Sequence, residues 1–209
     1  MTYTIPRYPV QLIDFIWAAN GRRVTIRPML PQDLKLQREF FRSLSPRVRY
    51  SRFLGWFNDL PDRVAQHLEN FDNSSHLALL AEVFEDGREI MIGEARYVVE
   101  QHDSPTCEFA LVVADHWQRC GIGRALLTQL ERDAAASGLT RMLADTLYDN
   151  KAMRGLAASR GYAMRTNRED ARLVRLEKQL SARTPSRNVQ QFATWNNNRD
   201  PVTIQNDGD

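Results

Sequence analysis

Apolar and polar positions fall into two periods along the chain. The runs Leu12-Ile13-Asp14-Phe15-Ile16-Trp17 and Arg23-Val24-Thr25-Ile26-Arg27-Pro28 read as strands, and Asn20-Gly21 between them is a hairpin turn signal. Pro31-Gln32-Asp33 opens a helix to about Leu44 whose apolar side is Leu34, Leu36, Phe40, Phe41 and Leu44. Ser45-Pro46 ends it, a second helical stretch covers Arg47 to Phe57, and Leu60-Pro61-Asp62 opens a third to about Glu69. The middle is strand-rich: 76–84 and 89–100 form a hairpin about Asp86-Gly87, and 106–114 adds the next strand. A helix over 123–137 shows Leu126, Leu127, Leu130 and Ala134 at helical spacing and stops at Gly138. A short strand at 142–146, a helix over 150–159 closed by Arg160-Gly161, and a hairpin of 162–165 with 171–179 complete the pattern. Strands alternating with helices predict an α/β or α+β sandwich with helices on either side of a mixed sheet. Residues 1–20 read as an N-terminal strand extension, 21–180 as the folded domain, and 181–209, rich in Asn, Gln, Asp, Arg and Pro, as a polar C-terminal tail.

A chain of 209 residues with 43% hydrophobic content can bury one core. Its formal net charge of +2 argues against nucleic acid as a partner. Two cysteines, Cys107 and Cys120, make no disulfide framework, and no Cys/His spacing matches a zinc site, so no metal is expected. There is no apolar leader and no run of about 18 apolar residues, so no membrane is expected and the cytoplasm is the natural compartment.

The segment from Val112 to Leu127 carries the chemistry. An apolar strand ends in a turn with Gly121 and Gly123, and a helix starts directly from it. Glycines let backbone N–H groups converge, and the helix N-terminus adds its positive dipole end, which together cradle a phosphate or pyrophosphate. The turn is neither a Walker loop nor a full dinucleotide fingerprint.

The pattern strand, Gln118-x-x-Gly121-x-Gly123, helix resembles the acetyl-CoA site of the GNAT N-acetyltransferase superfamily. Val24-Thr25-Ile26-Arg27-Pro28 followed by Gln32-Asp33 looks like the first strand and helix start of that family, and Asn150-Lys151-Ala152-Met153 leading to Arg160-Gly161-Tyr162 resembles its late helix. The resemblance covers roughly 21–179 and implies a mixed, mostly antiparallel sheet between helices. A further segment, from Phe40 to Phe53, is similar to one in bacterial protein-lysine acetyltransferases that modify acetyl-CoA synthetase. Those enzymes often carry a ligase-like domain that these 209 residues do not contain.

What the resemblance implies falls on particular residues. Backbone N–H groups over Arg119, Cys120, Gly121, Ile122, Gly123 and Arg124 would bind the pyrophosphate of acetyl-CoA. Leu111, Val112 and Val113 would pair through their backbones with the pantetheine arm, one of their amides stabilising the thioester oxyanion. Asn150 would contact the arm from the late helix. An amine attacks only when neutral, and a free lysine has a pKa of about 10.4, so a base is needed. Glu108, in an otherwise apolar strand where the family often places a general base, is that candidate. The late-helix tyrosine that serves many members as acid falls here on Ala157, which leaves Tyr148 as the alternative donor. Tyr162 reads as packing, Cys120 as no nucleophile, and Arg42, Arg47, Arg49 and Arg52 as a solvated basic face that could also meet an acidic surface or CoA phosphates.

The expected activity is acetyl transfer to a primary amine, most simply a lysine on a protein such as a metabolic enzyme, in a monomer or homodimer. The alternatives are transfer to a small amine, and a non-catalytic acyl-CoA-binding sensor.

Overall fold

The structure is a computed structural model that describes residues 8–60, 76–99 and 105–181. The helix expected from Leu60 to Glu69 falls almost wholly outside these residues, as does the polar segment after Ser181. The strands are β1 (Asp14–Trp17), β2 (Arg23–Pro28), β3 (His76–Glu85), β4 (Arg88–Val99), β5 (Thr106–Val113), β6 (Arg141–Leu147), β7 (Ala163–Thr166) and β8 (Leu173–Gln179). The helices are α1 (Leu34–Ser43), α2 (Pro46–Phe53), α3 (Ile122–Ala136) and α4 (Lys151–Ser159). The strands make one sheet in the order β1-β2-β3-β4-β5-β6-β8-β7. Among the described residues, β5 with β6 is the one parallel pair and the other neighbours are antiparallel.

Each local signal has a structural cause. Asp86 and Gly87 both take positive φ, 50° and 78°, the turn that matches the twist of a two-residue hairpin between β3 and β4. In α3 the buried side chains Ile122, Leu126, Leu127, Leu130 and Ala134 lie on one stripe. That stripe rests on the sheet where β4 has Gly93: a Cβ there would meet Leu126 Cδ1 at 3.2 Å. α3 and α4 therefore cover one face, packed on Ile26, Leu79, Ala81 and Leu176. α1 covers the other, with Phe40 and Leu44 against Leu80, Met91 and Val112.

Two expectations change, and the structure adds the placement of the last hairpin. Leu12 belongs to a short 3-10 turn ahead of β1, which begins only at Asp14 and forms the outer edge of the same sheet as β2. α2 stops at Phe53, not Phe57, because Leu54 turns left-handed at φ 53°. The final hairpin folds inward, so β8 rather than β7 pairs with β6, from Arg141 opposite Gln179 to Leu147 opposite Leu173.

Candidate active site

The sheet opens at its centre. β5 pairs with β4 along its whole length, from Cys107 opposite Val99 to Val113 opposite Gly93. Its pairing with β6 stops after three rungs, the last being Glu108 opposite Leu143, while β6 runs on beside β8 to Leu147. The second half of β5 thus presents a strand edge to a gap. The Ala114 amide donates to the Ile92 carbonyl at 2.8 Å, which sets the alternation. The N–H and C=O of Leu111 and Val113 turn to the open edge, whereas those of Val112 turn to β4. Of the three backbones expected to pair with an arm, the alternation leaves two; Val112 instead buries its side chain against α1.

The glycine turn closes the far end of this edge. Gln118 folds back so that its Nε2 donates to the Val113 carbonyl at 3.1 Å. Arg119 and Gly121 both sit in the left-handed region, at φ 63° and 89°. For Arg119 that conformation carries strain of about 1–2 kcal/mol, and such turns collect N–H groups into an anion-binding concavity. Gly121 caps α3 with no side chain of its own. Gly123 touches both walls: a Cβ there would lie 3.4 Å from Leu156 of α4 and 3.6 Å from Leu111 of β5. Arg124 is exposed and reaches Ser159 Oγ at 3.3 Å, and Cys120 points its thiol at the Gln118 carbonyl, 3.6 Å away. Ile122 is buried in the core, so its side chain is withdrawn from the turn. Asn150 caps α4, its Oδ1 accepting from the Met153 amide at 3.1 Å, which leaves the side-chain NH2 as a donor.

Glu108 stands where the two strands part. It is exposed, not enclosed by apolar neighbours as the strand sequence suggested. It shares its face with Ala110 and Val112, the face of α1 and α2. On that side a cavity of about 800 Å3 lies between α2, the end of β6 and the segment before β8, lined among others by Arg47, Tyr50, Trp56, Tyr148, Asp149 and Arg172. Its aromatic wall is open: Trp56 is 75% and Tyr148 64% exposed, and the Tyr50 and Trp56 rings lie 4.8 Å apart. Tyr148 comes five residues after the partner of Glu108, about 16 Å along an extended strand, so the structure does not bring the two together. Its ring is covered by the Arg154 guanidinium at 4.7 Å.

Other expectations resolve into packing. Tyr162 stacks at 5.3 Å on Phe109, and its hydroxyl meets Met142; burial together with Glu131 pushes its pKa up. Ala157 is fully buried. The basic run divides: Arg42 and Arg47 are exposed, Arg42 pairing with Asp59 at 2.8 Å on the surface, whereas Arg49 lies 5.4 Å over Phe41 and Arg52 turns inward to Glu94. Of the four, Arg47 lines the cavity.

Two features escaped the sequence. Ser45, the cap of α2, donates from Oγ to Asp115 Oδ1 at 2.6 Å and from its amide to Oδ2 at 3.0 Å, tying the cavity helix to the residue that leads from β5 into the glycine turn. Burial works against ionisation of Asp115, but these hydrogen bonds outweigh it and hold its carboxyl below the ordinary value. The second is a buried cluster of Gln37, Glu94 and Arg96; two charges at alternate positions in the apolar run from Ile90 to Val99 were its available signal. Among the described residues no group of His, Cys, Asp and Glu is arranged to hold a metal ion, and no helix is long and apolar enough to cross a membrane.

Comparison with known proteins agrees with this geometry. Residues 36–162 match the model of the acetyltransferase (GNAT) family. Acetyltransferase PA5475 of Pseudomonas aeruginosa is 31% identical over 155 residues, 74% of this chain and 83% of that protein. The crystal structure of the GNAT domain of S. lividans PAT superposes with a TM-score of 0.74 at 23% identity, over 83% of this chain and all of that one. YncA of Salmonella typhimurium, solved with its cofactor acetyl-CoA, superposes with a TM-score of 0.60 at 20% identity, over 78% of this chain and 97% of that one.

Proposed function

This chain belongs to the acetyltransferase (GNAT) family, and from that premise we propose that it transfers acetyl from acetyl-CoA to the side-chain amine of lysine on a protein. The observation that carries the donor half is the parted edge of β5 ending in the glycine turn. Amides from Arg119 to Arg124 at the start of α3 take the pyrophosphate. Leu111 and Val113 offer the arm a strand edge to pair with, and the Asn150 NH2 adds a donor from α4. One of the two β5 amides turns to the thioester oxygen, an interaction worth about 3–4 kcal/mol in other enzymes.

Glu108 is placed to take the proton of the incoming ammonium, directly or through a water, and its exposure lets that proton pass on to solvent. The neutral amine nitrogen bonds the carbonyl carbon, the carbon–sulfur bond breaks, and the second proton of the nitrogen passes to the departing thiolate, directly or through water, so that CoA leaves as the thiol. Tyr148 fits the acceptor wall better than the role of acid, since it faces the cavity rather than the β5 edge. The open aromatic cavity favours a lysine on a macromolecule: a long stem and a cationic tip suit Tyr50 and Trp56, with the Asp149 carboxylate on the same wall. The likeness of the Phe40–Phe53 segment to protein-lysine acetyltransferases points the same way. An enzyme of this kind works in the cytoplasm on metabolic proteins, with the transferase unit running from the first hairpin to Leu180.

Incubation with labelled acetyl-CoA, purified candidate proteins and a panel of small amines tests the reading. Label on protein lysines is expected. Label on small amines alone overturns the acceptor assignment, and acetyl-CoA binding without any transfer overturns catalysis.

A further inference from the structure

The first hairpin ends against the glycine turn. β1 and β2 pair from Asp14 opposite Ile26 to Trp17 opposite Arg23. Beyond them the Ala18 amide donates to the Arg22 carbonyl at 2.9 Å, and the Gly21 amide to the Ala18 carbonyl at 2.8 Å, so the loop is Ala19-Asn20-Gly21. Gly21 sits at φ 78°, whereas Ala19 and Asn20 stay out of the left-handed region. That combination is a type I turn followed by one left-handed residue, a common three-residue hairpin loop. Ala19 is exposed, yet its amide leaves the hairpin and donates to the Cys120 carbonyl at 3.0 Å. Two more contacts tie the hairpin to the same stretch of chain. The Arg22 guanidinium, paired with Glu85 at 2.6 Å, lies 5.6 Å from the Trp117 ring. Gln129 of α3 donates to the Leu12 carbonyl just ahead of β1. The hairpin thus holds the donor loop before, within and after its glycines.

The bond to Cys120 has a directional consequence. Among the described residues no peptide is cis, and in a trans peptide the C=O and the following N–H point in opposite directions. Fixing the Cys120 carbonyl on the hairpin therefore turns the Gly121 N–H away from the hairpin. The hairpin belongs to the β1–β2 end of the sheet, and the open edge of β5 faces the β6 side, so this N–H is turned from the first toward the second. Gly121 has little means of setting that direction itself. It sits at φ 89°, and among the described residues nothing lies within 4 Å of where its Cβ would be. A glycine peptide rotates at low cost, whereas an N–H serves an anion cradle only when its direction is preset. Resting on the transferase reading above, we infer that Ala19 is a positioning residue for the donor: its backbone N–H holds the Cys120–Gly121 peptide in the orientation that offers the Gly121 amide to the pyrophosphate of acetyl-CoA. The hairpin acts on the phosphate end of the donor and not on the thioester end beside Leu111 and Val113.

The test removes that single donor. Position 19 is the second residue of a type I turn, where the fixed φ of proline fits, so Ala19→Pro deletes the N–H and keeps the turn. Initial rates with one amine acceptor are measured for acetyl-CoA and for S-acetyl-pantetheine, which has the arm and the thioester but no pyrophosphate. Calorimetry of CoA binding and thermal unfolding accompany them. Ala19→Pro raises the KM for acetyl-CoA about three- to tenfold and weakens CoA binding by the same factor. The kcat, the KM for S-acetyl-pantetheine and the melting temperature of the ligand-free chain stay where they were. Ala19→Gly, which brings the amide back, rescues the KM. Equal losses with both donors, or an unmoved KM for acetyl-CoA, overturn the inference and leave the hairpin as packing. Where Ala19→Pro fails to fold, hydrogen exchange in the parent chain decides. The Ala19 amide is then protected without ligand and the Gly121 amide gains protection when CoA is added; free exchange at Ala19, or no response at Gly121, overturns the inference. A loss of CoA affinity of the expected size in Ala19→Pro, in a chain that transfers acetyl from neither donor, would instead refute the transferase reading.

Discussion

The two faces of the sheet solve the same packing problem in opposite ways. Where α3 and α4 lie, the interface is aliphatic: Ile122, Leu126, Leu127 and Leu130 are fully buried against Ile26, Leu79 and Leu176. Where α1 and α2 lie, hydrophobic contacts from Phe40 and Leu44 share the space with Gln37, Glu94, Arg96 and Arg52, and α2 buries none of its residues completely. The first face holds the start of α3 rigidly at the end of β5, which a backbone cradle requires, because amides bind an anion only when fixed in direction. The second face is held by directional polar contacts, which fix the buried Glu94 among Gln37, Arg96 and Arg52 and tie α2 to the residue before the glycine turn through Ser45 and Asp115. Apolar packing supports the glycine turn, and polar contacts hold the face that carries Glu108.

Substitutions on each face sharpen this contrast. Glu108→Gln should have the largest effect, lowering kcat by about 10²–10⁴-fold while the affinity for CoA measured by calorimetry stays the same. Equal losses in both would erase the division of labour between the faces. Leu127→Ala should cost about 2–5 kcal/mol in chemical denaturation, because the close-packed stripe of α3 cannot collapse onto the cavity. The residual folded enzyme should still transfer acetyl. Gly121→Ala places a side chain at φ 89°, a strain of about 1–2 kcal/mol, and should weaken CoA binding while leaving the KM for the acceptor unchanged.

Asp115→Asn keeps the shape of the clamp but removes its charge, and the KM for the acceptor should rise by roughly threefold at constant kcat. The clamp has a pH signature as well. The Asp115 carboxyl is held below its ordinary value, so its contribution is complete above the unfolded Asp range near 4 and is lost as pH falls through the depressed value. Hydrogen exchange of α2 should therefore accelerate only in that acid window. The smallest effect is expected for Tyr148→Phe, with kcat within about twofold of the parent, since a hydroxyl on the open cavity wall protonates no buried thiolate. A large loss of kcat there would move Tyr148 from the wall to the chemistry.

Legibility followed locality. Hairpin turns at Asn20-Gly21 and Asp86-Gly87, the apolar stripe of α3 and the glycine turn are written within a few consecutive residues, where backbone preference and side-chain period act without outside help. The helix beginning near Asn150 was visible for the same reason, whereas the structure shows that Asn150 caps it. The Ser45–Asp115 clamp joins residues 70 positions apart, and Gln37 meets Glu94 across 57, so no window of sequence could pair them. Within the basic run, Arg42 and Arg47 are solvated as the sequence suggested, but Arg52 left that face for the same reason: its carboxylate, Glu94, lies far along the chain.

By itself the sequence determined the form of the glycine turn, because it needs only a strand end, left-handed backbone at Gly121 and the first turn of a helix. It also placed Glu108 on the strand that leads there. Only the tertiary structure decided that β8 enters beside β6, that β5 and β6 part after Glu108 and Leu143, and that two arginines and one glutamate are buried beneath the gap. Those outcomes depend on strand order and on pairing between distant segments, where the free energy of each contact exists only once the whole sheet has formed.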